Sequence, residues 1–220
     1  MSSLYKVILA DPPWPYSFSG TRSSETKDDY KTMSIQEIAD LPVKELADEN
    51  SVLILWAIWN QLEGALHVMR SWGFEPVTGF PWIKSYDPPS IDLFGELRFR
   101  PTWGMGAWVR GCSEPILIGK RGNAQPPVKS WLGLVAERMQ HSRKPLHLHA
   151  YAESMEGPYL ELFARKKQPG WDVFGNQVDG SIRLPNTAST RLGGSRRKKS
   201  LLPPEAGPAK GDGVKPAPSG

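Results

Sequence analysis

The sequence predicts an α/β domain with a largely parallel sheet. Short, continuous apolar runs, the mark of strands covered on both faces, alternate along the chain with amphipathic segments at helical spacing. The residues richest in chemistry follow directly on the first such run, and open α/β sheets bind their ligands at the carboxyl ends of strands.

Taken in order, Tyr5–Ala10 is apolar at nearly every position and reads as a central strand. The polar stretch after DPPW, residues 15–33, has no period and reads as a loop. Ser34-Ile-Gln-Glu37 is a capping box, with Ile35, Ile38 and Ala39 at helical spacing behind it. SVLILWA at 51–57 is a second central strand. Asn60 through Glu63 opens a second helix that carries Leu62, Ala65, Leu66 and Met69 on one face and ends at Gly73. FEPVTGFPWIK is a third strand. Residues 85–110 are polar, aromatic and rich in Gly and Pro, a long loop of the kind that carries function. SEPILIGKRG is a strand and Lys129–Met139 a short helix. A last helix is expected over Lys144–Met155 with Pro145 at its first position, before strands at Tyr159–Phe163 and Trp171–Phe174.

Composition narrows the class. The chain has 220 residues, 39% of them hydrophobic, which suits one domain with a real core. The net charge of +4 divides unevenly: seven Lys/Arg and two Asp/Glu lie from Asn186 onward, leaving 20 basic and 21 acidic residues before it. Residues 1–185 therefore read as a nearly neutral folded domain, and 186–220 as a basic, Pro/Gly-rich disordered tail. Arg196, Arg197, Lys198 and Lys199 could tether a phosphate backbone. The single cysteine, Cys112, excludes an internal disulfide and a Cys-rich zinc site, and fits a cytoplasmic location. No leader pattern and no run approaching 18 apolar residues are present, so no membrane is expected.

The Asp-Pro-Pro-Trp turn at 11–14 offers a specific chemistry. Ionised Asp11 is an acceptor, Pro12 adds a carbonyl with no N–H of its own, Pro13 helps fix the chain direction, and Trp14 brings a flat face. Two acceptors and a stacking plane match a planar ring with an exocyclic amino group, such as adenine or cytosine. Accepting both amino hydrogens draws the nitrogen lone pair out of conjugation and aims it at an electrophile.

DPPW resembles the signature of amino-methyltransferases that use S-adenosylmethionine. YKTMS (30–34), LILWA (53–57), Trp82-x-Lys84, SEPILIGKRG (113–122), HSRKP (141–145), ELFAR (161–165) and GNQVDG (175–180) follow in order. Together they resemble the MT-A family, relatives of the catalytic subunit of the mRNA adenine methyltransferase, over roughly residues 5–184. The resemblance implies the class I S-adenosylmethionine-dependent methyltransferase fold, Rossmann-like, in a permuted order with the catalytic motif first. It implies that Asp11, Pro12, Pro13 and Trp14 are catalytic, with Trp14 stacked on a flipped adenine. Asp11, Lys144, Phe163, Arg165, Asn176 and Gln177 would hold the cofactor, with Lys144 on its carboxylate and the amides near its ribose. Tyr30, Lys84 and Glu114 would line the substrate side. Relatives often carry an acidic cofactor ligand before the first strand, and only about four residues stand there in this chain.

Without the resemblance, Lys144 and Arg165 read as surface cations. His147-x-His149 is no metal pair, because residues two apart do not share a helix face, and no metal is expected. Glu153 and Glu156 read as solvated. The expected function is methylation of N(6) of adenine in DNA. The alternatives are the same reaction on RNA, or a silent nucleic-acid-binding subunit. Nucleic acid is the expected partner, DNA ahead of RNA, and a homodimer or heterodimer is compatible. Arg98, Arg100 and Arg110 in the 85–110 loop could contact phosphates while Trp103 or Phe99 stacks on a base, and the segment reads equally as a bland mobile loop.

Overall fold

The computed structural model describes residues 4–15, 32–104, 106, 108–127, 133–138, 144–175, 178–182 and 184. Seven strands form one sheet in the order β7-β3-β6-β2-β1-β8-β9. They are β1 (Tyr5–Ala10), β2 (Ala47–Trp56), β3 (Glu75–Ser85), β6 (Ser113–Arg121), β7 (Leu134–Glu137), β8 (Tyr159–Leu162) and β9 (Trp171–Phe174). β1 runs parallel to β2 and β8, β8 to β9 and β3 to β7, while β6 alone runs antiparallel to its neighbours β2 and β3.

The unbroken apolar runs are explained by burial on both faces. Leu53, Leu55 and Ala57 join Ile8, Ala10, Leu160 and Leu162 in one core layer, whereas Val52, Ile54 and Trp56 join Val7, Leu9 and Val173 in the other. Helices α1 (Ile35–Ala39), α2 (Val43–Leu46) and α3 (Leu62–Ser71) cover the first layer, through Ile38, Val43, Ala65, Val68, Met69 and Trp72. α4 (His147–Glu153) covers the second with Leu148, Tyr151 and Ala152. The capping box forms as read: Glu37 N–H donates to Ser34 Oγ at 3.2 Å, and Ser34 N–H to Glu37 Oε2 at 2.7 Å.

Several elements differ from the expectation. Lys129–Met139 contributes a strand where a helix was expected. Leu134 and Ala136 are buried while Val135 and Glu137 are less so, a period of two, and β7 pairs with β3 from Trp82↔Leu134 to Ser85↔Glu137. α4 begins at His147, without a side-chain cap, so Lys144 and Pro145 belong to the turn before it. A 3₁₀ turn, Trp59–Gln61, replaces the capped start expected at Asn60, and Gly73 closes α3 with φ +85°. Within the long loop, β4 (Ser90–Ile91) and β5 (Leu97–Arg98) pair as a small hairpin. The tail, 186–220, lies outside the described residues.

Candidate active site

The site residues gather at one edge of the sheet because of strand direction. Asp11 follows the last residue of β1, Trp56 ends β2, Lys84 stands one residue before the end of β3, and Phe163 follows β8. Glu114 is the second residue of β6. Only the reversal of that strand brings its start to the same edge, where Glu114 pairs with Trp82 and Ile116 with Trp56.

Their charges interlock. Lys144 Nζ lies 2.9 Å from Asp11 Oδ1 and 3.2 Å from Glu114 Oε2, and Lys84 Nζ lies 2.5 Å from Glu114 Oε1. Aromatic rings floor both cations: Lys144 Nζ is 5.0 Å from the Trp56 ring centroid and Lys84 Nζ 5.0 Å from that of Trp82. The two indoles meet edge to face at 5.5 Å. Asp11 and Lys144 side chains are each 21% exposed, so the pairs are shielded from bulk water yet open to a ligand.

Burial and partners set the protonation behaviour. Burial pushes the Asp11 carboxyl up beyond what Lys144 offsets, and the Glu114 charge adds to the rise while Arg165 opposes it. Burial works the same way on Glu114, but Lys144 and Lys84 outweigh it and hold that carboxyl below its ordinary value. For Lys144, burial favours the neutral amine, and the attraction of Asp11 and Glu114 prevails, so its pKa is raised and it stays an ammonium.

The DPPW turn is held from several sides. Asp11 N–H donates to Leu162 O at 3.4 Å, Trp14 N–H to Pro12 O at 2.9 Å, and Met33 N–H to Pro13 O at 2.9 Å. One lone pair of the Pro12 carbonyl is thereby used and one is left. Trp14 departs from its expected place. It is 6% exposed, packs in the core and donates its indole N–H to Trp56 O at 2.9 Å. Its rings are covered by protein, so it braces the turn instead of presenting an open stacking plane.

A cleft of about 520 Å³ opens beside Asp11, lined by Leu9, Trp56, Lys144, Phe163 and Arg165 among others. Phe163 takes φ 63°, a left-handed conformation rare for a bulky residue, as the chain turns out of β8. The turn packs tightly on the end of β9: a Cβ on Gly175 would lie 2.1 Å from Ala164 O, so only glycine fits. His149 and Glu161, neither of them expected at the site, also line the cleft and bond to each other at 2.9 Å. The His-x-His spacing carries no signal for this pairing, because the partner lies 12 residues on, across the turn from α4 into β8. Glu153 also has a role, accepting the Trp171 indole N–H at 2.8 Å. Tyr30, Asn176 and Gln177 lie outside the described residues. Among the described residues, no cluster of His, Cys, Asp or Glu could hold a metal, and no helix is long and apolar enough to cross a membrane.

Two of the three loop arginines are already paired within the loop. Arg98 pairs with Asp92 and Glu96 at 2.7 Å each, and Arg100 pairs with Asp87 at 2.9 Å, so the hairpin neutralises its own cations.

Sheet order, the single reversed strand and a charged cleft at the carboxyl edge define a class I S-adenosylmethionine-dependent methyltransferase fold, with the DPPW turn following β1. The MT-A70 family profile matches residues 5–177. Over 189 residues the chain is 31% identical to the N(6)-adenosine-methyltransferase MT-A70-like protein of Drosophila melanogaster, covering 82% of this chain and 28% of that one. It is 27% identical over 183 residues to the human N(6)-adenosine-methyltransferase catalytic subunit METTL3, covering 80% and 28%. With the type II methyltransferase M.MunI of a Mycoplasma it shares 27% identity over 210 residues, covering 82% and 81%. The chain belongs to the MT-A70 family. It spans little more than a quarter of the first two relatives and most of the third.

MT-A70 methyltransferases use S-adenosylmethionine as methyl donor, and the residues present fit it. The cleft lining sets the carboxylates Asp11 and Glu161 beside the cations Lys144, Arg165 and Lys166, and charges of both signs suit a zwitterionic amino-acid end. Behind Lys144, Glu114 Oε2 is buried 3.2 Å from the ammonium without a well-aligned hydrogen bond, so this carboxylate keeps bonding capacity at the site. Leu9, Leu148 and Phe163 supply apolar wall for the nucleoside.

Proposed function

We propose that this protein transfers a methyl group from S-adenosylmethionine to N(6) of adenine in DNA. The observation that carries the reading is the position of the Asp11–Pro12 acceptor pair, at the rim of a cleft whose charges suit the donor. Of the relatives named above, the match covers 81% of M.MunI and 28% of each of the other two, which favours a DNA-modifying enzyme.

In this mechanism the free Asp11 oxygen and the remaining lone pair of Pro12 O accept the two amino hydrogens of an extruded adenine. That pairing leaves the amino lone pair directed toward the cleft. Bound there, S-adenosylmethionine supplies an electrophilic methyl group. Lys144 holds Asp11 in place through Oδ1 and, with Arg165, faces the donor's anionic and hydroxyl groups. Glu114, clamped between two lysines, supplies a fixed acceptor on the base side. Because burial raises its pKa, Asp11 is also suited to take the surplus amino proton on its way to solvent.

The test is transfer of tritiated methyl to unmethylated genomic DNA and to RNA transcripts, wild type beside Asp11→Ala, with nucleoside analysis and mapping of the modified sites. N(6)-methyladenine in DNA that disappears in the variant supports the proposal. Modification of RNA alone moves the substrate to RNA. Full activity in Asp11→Ala refutes the assignment of the pocket, and no transfer to either polymer with the donor still bound supports the silent-subunit alternative.

A further inference from the structure

The segment between β5 and β6 forms a narrow finger rooted at the active site. Both of its stems are pinned to one residue: Thr102 N–H donates to Lys84 O at 2.8 Å, and Lys84 N–H donates to Cys112 O at 2.7 Å. Lys84 is the partner of Glu114, so the finger springs from the substrate side of the site. Its two arms lie flat together. A Cβ on Gly104 would sit 2.4 Å from Gly111 O and one on Gly106 2.2 Å from Val109 O, approaches that only glycine permits. Gly106 and Val109 therefore lie against each other across the finger, and Trp108, next to Val109 in the sequence, is 100% exposed. It stands four positions before Cys112, so it is held within about 14 Å of the root.

A fully exposed indole on a braced support contributes nothing to the fold. Arg110, on the same finger, is exposed and has no ion pair among the described residues, in contrast to Arg98 and Arg100 of the hairpin. An aromatic tip beside a cation suits a nucleic-acid duplex: the ring replaces a lost stacking partner and the guanidinium meets phosphate. Extruding an adenine leaves a gap in the stack, and the residue that fills it sets how readily the base leaves.

Resting on the function proposed above, we propose that Trp108 is the wedge that enters the duplex and holds the target adenine out of the stack, with Arg110 on the adjoining phosphate. It is a positioning residue; Asp11 and Pro12 contact the base.

The test uses oligonucleotides carrying a site mapped in the methylation assay, as a matched duplex, as a duplex mismatched opposite the adenine, and as a single strand. Trp108→Ala is expected to lower the matched-to-mismatched ratio of kcat/KM by about 10- to 100-fold, since a mismatched base needs less help to leave. Trp108→Phe should recover most of the ratio. With 2-aminopurine at the target, the fluorescence rise on binding matched duplex should vanish in Trp108→Ala and persist in Trp108→Phe. The melting temperature should hold, because the ring touches nothing in the fold. Equal losses on all three substrates, an unchanged ratio, methylation of RNA alone, or a dimer that Trp108→Ala splits into monomers would each overturn the wedge. A wild type inactive on every polymer instead removes the reading on which it rests.

Discussion

Replacing Lys144 with methionine keeps the apolar stem against Trp56 and removes the ammonium that bridges Asp11 and Glu114 at 2.9 and 3.2 Å. At such separations, with an effective dielectric of about 20, each attraction is about 5 kcal/mol before the cost of burial is subtracted. Removing one partner of a buried ion pair typically costs about 3–5 kcal/mol, because the remaining charges are left without compensation. With 21% of the Lys144 and Asp11 side chains exposed, the lower figure, about 3 kcal/mol, is expected at neutral pH. That corresponds to a fall in melting temperature of about 6–12 °C for a domain of this size. The sign of the pH dependence follows from the carboxyls. In the wild type, Glu114 is held low by its lysines, so its contribution is present above its unfolded pKa and is lost as pH falls through the folded one. In Lys144→Met, Asp11 and Glu114 both titrate at higher pH, and the variant loses stability as pH rises. The gap between the two proteins should therefore widen from about pH 4.5 to about pH 7.5. Urea unfolding across that range measures it. A gap under about 1 kcal/mol at neutral pH, or one that does not change with pH, refutes the bridging role.

Four further outcomes follow from particular contacts. Because burial raises Asp11 and its ionised form is the acceptor, methyl transfer should rise with pH through a limb above the usual aspartate value of about 3.9, read from kcat/KM profiles. Trp14→Phe keeps a ring but orphans Trp56 O, so a loss of about 1–3 kcal/mol in urea unfolding is expected; an unchanged stability would return Trp14 to a stacking role. Ser34→Ala removes the capping box and should cost about 1 kcal/mol. Gly79→Ala would set a Cβ 2.7 Å from Ile116 O between β3 and β6, and a loss of about 1–3 kcal/mol by thermal unfolding is expected.

The legible part of the fold was the part encoded by periodicity. β1, β2 and β6 announce themselves because burial on both faces demands unbroken apolar runs, and α1 because Ser34 and Glu37 mark its start. β7 is hidden in the sequence because four residues, two of them buried, are too short a sample to separate a period of two from a helical one. The direction of β6 is not written in its composition, since an apolar run reads the same both ways, and with it the reason Glu114 joins the site was hidden. Within the site, the resemblance singled out Asp11, Lys144 and Glu114, and the structure supplied their contacts. Trp56 looked like core and is core, yet its face also carries Lys144. For Trp14 the residue type was legible, but whether its rings are covered depends on Trp56 O, a group 42 residues away.

The place of β1 in the sheet also bears on how the chain is made. Its Val7 pairs with Val52 on one side and Tyr159 on the other, so one flank closes early in synthesis and the other only after β8 has left the ribosome. At ordinary elongation rates of about 5–20 residues per second, the stretch from the end of β2 to the end of β8 takes about 5–20 s. Throughout that interval the strand carrying the DPPW turn offers a bare, apolar edge to any neighbouring nascent chain. Soluble yield should therefore respond to translation speed and chaperone supply more than the stability of the finished domain would suggest.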